Sequence, residues 1–106
     1  LKINEVDKAL DHALAEYNRR PKNIDANETL AWVYYQKGEY AKAIPYMKVA
    51  LKTNSKNPVL LCRAGLIYEK TGDKVKAKEY LEQAFKNNAT LPELLKLYSE
   101  QALKEI

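Results

Sequence analysis

Tyr34-Tyr35-Gln36-Lys37-Gly38-Glu39-Tyr40 and Tyr68-Glu69-Lys70-Thr71-Gly72-Asp73-Lys74 are one passage written twice, 34 residues apart. Each puts a tyrosine in the last turns of one helical pattern, a glycine at its stop and an acidic residue ahead of the next. The same shift lays Ala43 on Ala77 and Ala50 on Ala84. A period of this length with two helical segments marks a unit that cannot bury its apolar face alone and must stack on copies of itself. The repeat therefore predicts an all-α chain and a binding scaffold rather than a catalyst.

Working outward, Asn4 is positioned to cap a helix over about 5–19, with Val6, Ala9, Leu10, Ala13, Leu14 and Tyr17 at three- and four-residue intervals, closed by Arg19-Arg20-Pro21. Asp25 and Glu28 read as a reciprocal cap for a helix over about 26–37, with Leu30, Val33 and Tyr34 inward and Gly38 as its stop. Glu39 opens a helix to about Thr53, with Ala43, Met47, Ala50 and Leu51 inward, before the turn Asn54-Ser55-Lys56-Asn57. Pro45 within it lacks a backbone donor, which is best tolerated on the solvent side. Asn57-Pro58 starts a helix to about Thr71, and Gly72-Asp73 repeats the turn before a helix over about 74–87. Thr90-Leu91-Pro92-Glu93 is a second capping box. It leads a last helix with Leu91, Leu94, Leu95, Tyr98 and Ala102 on one face and Glu93, Lys96, Glu100 and Lys104 on the other.

Leu30-Ala31-Trp32-Val33-Tyr34 and Ala64-Gly65-Leu66-Ile67-Tyr68, each followed by the two spaced alanines, resemble the tetratricopeptide repeat family. Its unit is an antiparallel helix pair with the pattern W-x2-L-G-x2-Y, then A-x3-F, A and P. Asn27 and Leu61 replace the tryptophan, Met47 and Leu81 the aromatic, Ser55 and Ala89 the proline, and Glu16 the alanine. The resemblance implies a tetratricopeptide-like α-α superhelix, a right-handed stack of antiparallel pairs. Residues 4–23 would be the second helix of a truncated repeat, 24–57 and 58–91 full repeats, and 92–106 a C-terminal capping helix. The start at Leu1 without a methionine or signal-like segment reads as a piece of a longer protein, with no compartment implied. The tyrosines recur at repeat-equivalent places, Tyr34 with Tyr68 and Tyr46 with Tyr80, and are expected in core and inter-repeat packing.

In this family the first helix of each pair lines a concave groove for an extended or helical peptide, and residues 34 apart form columns across it. The columns are Asp25, Val59, Glu93; Glu28, Cys62, Lys96; Thr29, Arg63, Leu97; and Trp32, Leu66, Glu100. Trp32, Val59, Leu66 and Leu97 would give an apolar floor, with Arg63 and Lys96 for a carboxylate. Glu28, Trp32, Val59, Cys62, Arg63, Leu66, Lys96 and Leu97 are the candidate peptide-binding residues. The lysine, asparagine and arginine clamp of modules that capture chaperone tails is mostly absent: Glu28, Trp32, Glu93 and Leu97 stand in its places. A peptide with apolar or aromatic anchors suits these columns better.

No chemistry beyond binding is indicated. His12 and Cys62 are each unique and lie in different repeats, too few for a zinc site and without the pairing of a cysteine nucleophile. Three glycines, two of them at repeat turns, make no phosphate loop, and no catalytic residue, metal or cofactor is expected. The net charge of +4 comes from 18 Lys and Arg against 14 Asp and Glu, scattered rather than blocked, which argues against nucleic acid. No apolar run reaches the roughly 18 residues of a membrane span. A lone cysteine excludes an intrachain disulfide. The alternative to a groove is a structural spacer or self-association segment of a longer array. There Val6, Leu10 and Leu14 would stand partly unprotected, and the exposed N-terminal helix would offer a homodimer contact.

Overall fold

Two glycines set the positions of the turns. Gly38 and Gly72 have φ of 86° and 90°, the left-handed region that L side chains enter at a cost. At each, the glycine N–H donates three residues back, to Tyr35 O and Glu69 O. The next N–H donates five back, from Glu39 to Tyr34 O at 2.9 Å and from Asp73 to Tyr68 O at 3.0 Å. The last carbonyls of the helix are thus satisfied and the chain is turned into the next helix.

The computed structural model describes residues 3–53, 56–86 and 92–106. Their helices are α1 (Ile3–Arg19), α2 (Ile24–Lys37), α3 (Tyr40–Leu51), α4 (Pro58–Thr71), α5 (Lys74–Lys86) and α6 (Glu93–Glu105), with no strand among the described residues. The chain divides into two compact units, Leu1–Thr53 and Asn54–Ile106.

In the first unit α2 packs against both α1 and α3. Val6, Ala13, Leu30 and Val33 form a buried cluster, with Leu10, Leu14, Tyr17, Tyr34 and Tyr46 packed on it. Ala43, Met47 and Ala50 are wholly buried along α3, and Pro45 is exposed there, as a residue without a backbone donor requires. Val6 is buried rather than unprotected; Leu10 and Leu14 are half-buried. The amino end of α2 departs from expectation. Asn23, not Asp25, is the cap, its Oδ1 accepting from Ala26 N–H at 2.9 Å, because the helix already begins at Ile24. Asn4 likewise lies inside α1 rather than capping it.

Asn27 fills the place of the repeat's tryptophan with an amide. Its Nδ2 donates to Pro21 O at 2.9 Å and to Asn23 O at 2.8 Å, tying the α1–α2 turn to α2. Two good bonds explain why a polar side chain with 1% exposure is tolerated there.

In the second unit α4 packs on α5 and α6. Asn57 Oδ1 accepts from Val59 N–H at 3.0 Å and Pro58 takes the first helical position, both as predicted. Asp73 Oδ1 accepts from Lys76 N–H at 3.1 Å at the start of α5. Leu81, wholly buried, presses on the one glycine within a helix: a Cβ on Gly65 would lie 2.5 Å from Leu81 Cγ and 3.2 Å from Ala77 O. Only glycine allows α4 and α5 to approach this closely.

On α6 the buried stripe is Leu95, Ser99 and Ala102, whereas Tyr98, expected inward, is 47% exposed. The spacing of four and three fits a single narrow contact stripe, and Tyr98 falls beside it. The capping-box residues Thr90 and Leu91, the turn residues Asn54 and Ser55, and the side chain of Leu94, expected inward on α6, lie outside what the structure describes.

Candidate peptide-binding surfaces

On α2, residues three and four apart share a face, so Glu28, Trp32 and Tyr35 form one row. Trp32 lies flat on Tyr35, with ring centroids 4.6 Å apart and planes within 8° of parallel. Tyr40, at the start of α3, tilts against Tyr35 at 5.3 Å. All three rings and Glu28 are half-exposed, and Asp25 and Thr29 are open to solvent. Such contacts contribute about 0.5–1.5 kcal/mol beyond area burial, so the first unit presents a preformed aromatic ledge with carboxylates beside it.

The second unit carries the other candidates. Val59 and Arg63 on α4 and Lys96 on α6 are half-buried, and Leu97 is 57% exposed. Cys62 and Leu66 are corrected: at 0% and 3% exposure both belong to the core and offer no surface. The columns assumed that α4 exposes the same arc as α2. α2 and α4 each pack on two helices, but the second neighbour of α4 is α6, whose Ser99 lies beside Cys62, whereas that of α2 is α1, so the buried arc of α4 runs from Leu60 to Cys62 and from Ala64 to Tyr68. Burial raises the pKa of the Cys62 thiol above its ordinary 9.0, a rise opposed by the neighbouring Ser99 hydroxyl. A buried, neutral thiol is a poor nucleophile.

The tyrosines do more within a pair than the sequence suggested. Tyr34 stacks on Tyr46 at 5.7 Å and Tyr68 on Tyr80 at 5.8 Å, each joining the two helices of one pair. Lys42 Nζ lies 6.0 Å from the Tyr34 centroid, and Lys76 Nζ 5.3 Å from that of Tyr68. The signal was present as a lysine eight residues after a tyrosine in both repeats. Burial raises the pKa of Tyr46, Tyr68 and Tyr80, with the neighbouring phenols adding to the rise at Tyr46 and Tyr68. Between repeats, Tyr17 of α1 meets Tyr46 edge-on at 5.2 Å.

Periodicity carries no sign of an open hollow of about 480 Å³ between α1 and α2, lined by Ala9, His12, Ala13, Glu16, Thr29 and Val33 among others. Among the described residues no group of three or more His, Cys, Asp or Glu is placed to hold a metal ion, and no helix is long and apolar enough to cross a membrane.

Helix pairs turning at Gly38 and Gly72, with alanines at fixed places in the second helix, are what a comparison with known families should detect. The tetratricopeptide repeat family matches through one model over residues 24–57 and through a second over 59–90, together well over half of the 106 residues. No curated protein matches the chain. The chain belongs to the tetratricopeptide repeat family, whose repeats generally serve as protein–protein interaction modules.

Proposed function

We propose that this chain is a non-catalytic interaction module that binds a peptide or a partner helix through the first helices of its pairs. The observation that carries the reading is the aromatic ledge of Trp32, Tyr35 and Tyr40. Large, rigid, half-exposed rings are the side chains most often found at the energetic centre of a binding surface. In the second unit Val59 and Leu97 offer apolar contact of their own, and Lys96 on α6 supplies a positive charge. The reading needs no nucleic acid, metal or cofactor. Affinity for a single short peptide falls near micromolar, on the order of −8 kcal/mol.

A peptide display screen against the chain tests this, with Trp32→Ala, Lys96→Glu as the counter-screen. Enrichment that disappears in the double variant, at unchanged helicity, supports the reading. Peptides that bind both proteins equally would refute it.

A further inference from the structure

Cys62 is wholly buried, but the layer over it is thin. Ser99 of α6 stands beside the thiol, on the side of α4 that meets α6. Among the described side chains of α6 the buried ones are Leu95, Ser99 and Ala102, while the large apolar Leu97 and Tyr98 face solvent. Of the three that are buried, Leu95 alone is large and apolar.

Ser99 weakens the contact rather than strengthening it. Its Oγ is buried without a hydrogen-bond partner: the hydroxyl would donate to a thiolate, but the neutral thiol beside it is a weak acceptor. Burying an unpartnered hydroxyl carries a free-energy cost that is relieved once water reaches it. The other partner of α4 is held differently. Ala77, Leu81 and Ala84 of α5 are wholly buried, Leu81 presses on Gly65, and Tyr80 stacks on Tyr68. Local opening of a folded chain follows its weakest contacts, which in this unit are those between α4 and α6.

We propose that α6 is a cover that lifts from α4 while α4 and α5 stay paired, and that the Cys62 thiol beneath it is a modification site for a low-molecular-weight disulfide. Closed, the thiol is buried, neutral and unreactive. Lifted, it stands in water and ionises as an ordinary cysteine does. The thiolate attacks one sulfur of the small disulfide and the S–S bond breaks. A mixed disulfide forms on Cys62, and the other sulfur leaves as a thiolate that takes up the proton released from Cys62. The small disulfide is itself the oxidant, so no further reactant is needed. The adduct has no room beside the wholly buried Ser99, so α6 cannot settle back, and modification holds the cover open until a free thiol reverses it.

Reaction of the chain with oxidised glutathione, followed by mass spectrometry beside amide hydrogen exchange, tests the proposal. The rate, divided by that of the urea-unfolded chain, gives the fraction of molecules with Cys62 uncovered. That fraction should match the opening seen at the Ser99 and Ala102 amides and exceed that of the Leu81 amide on α5 by about tenfold or more. Leu95→Val should raise the rate about 3–10-fold. Ser99→Ala, which removes the unpartnered hydroxyl, should lower it several-fold and serves alone if Leu95→Val loses helicity. In the mixed disulfide the α6 amides should exchange as in an unfolded chain while those of α5 stay protected. Reaction no faster than exchange at Leu81, a Ser99→Ala chain that reacts as fast as wild type, or a mixed disulfide with α6 still protected would each overturn the proposal. Trp32→Ala should leave every one of these results unchanged, which separates the cover from peptide binding at the aromatic ledge.

Discussion

In the α2–α3 pair, Tyr34 stacks on Tyr46 with Lys42 beyond the ring; in the α4–α5 pair, Tyr68 stacks on Tyr80 with Lys76 in the same place. Both pairs turn on a glycine at nearly the same φ. Their interiors differ. One sets Ala31 and Met47 where the other sets Gly65 and Leu81, and one has Asn27 hydrogen-bonded to the preceding turn where the other has buried Leu61. The shared rim fixes the register of a pair, while the interior sets how closely its helices approach. In each frame a small first-helix residue stands at the repeat position opposite a long second-helix one.

Truncating the interior should have the largest effect. Leu81→Ala is expected to cost about 2–5 kcal/mol, and more than Met47→Ala, because Gly65 beside it has no side chain to relax into the void. Urea denaturation of both variants measures the difference. Equal costs would mean that the two interiors are packed alike.

Gly65→Ala sharpens the same point from the other side. The new methyl meets Leu81 Cγ and the Ala77 carbonyl, an overpacking cost of about 1–3 kcal/mol against which helix propensity returns up to about 1 kcal/mol. Adding Leu81→Met copies the Ala31–Met47 filling and should recover most of the loss; a strictly additive double variant would refute the compensation.

Asn27→Leu, which copies Leu61, should destabilise by about 1 kcal/mol through two lost hydrogen bonds, partly offset because the buried Asn27 Oδ1 makes none. The change should appear as faster amide exchange near Asn23 and Ala26.

The smallest effect is on pH dependence. Tyr46, Tyr68 and Tyr80 have folded-state pKa values above the ordinary 10.0, so the folded chain holds phenolic protons that the unfolded chain releases first. Their contribution to stability is full below pH 10 and is lost as pH rises from 10 through the folded values. The second pair has two such phenols and the first has one, so Tyr68→Phe with Tyr80→Phe should flatten the alkaline decline in melting temperature more than Tyr46→Phe.

Glycine, alanine and tyrosine positions made the helix order, both turns and the repeat frame readable, because each is a local or strictly periodic requirement. Helix starts were less legible: Asn23 and Asp25 are both capable caps, and only the position of the first turn chooses between them. Surface and core are not distinguished at Cys62 and Leu66 because a 34-residue column carries no information on which side of a helix its neighbours cover. Tyr98 was misplaced for a related reason. Hydrophobicity names it as inward, but among the described side chains of α6 the buried ones are Leu95, Ser99 and Ala102. The ledge at Tyr35 and Tyr40 was hidden by the habit of reading tyrosine as repeat packing.

Trp32 is the single tryptophan, and it is stacked on Tyr35 in the unit Leu1–Thr53. Its indole emission therefore reports on that unit alone, whereas far-ultraviolet dichroism sums over the helices of both. In a repeat protein, cooperativity depends on the coupling of neighbouring units as well as on their own stability. The gap between the fluorescence and dichroism midpoints thus reads, without a label, whether the unit Leu1–Thr53 unfolds at the same point as the chain as a whole.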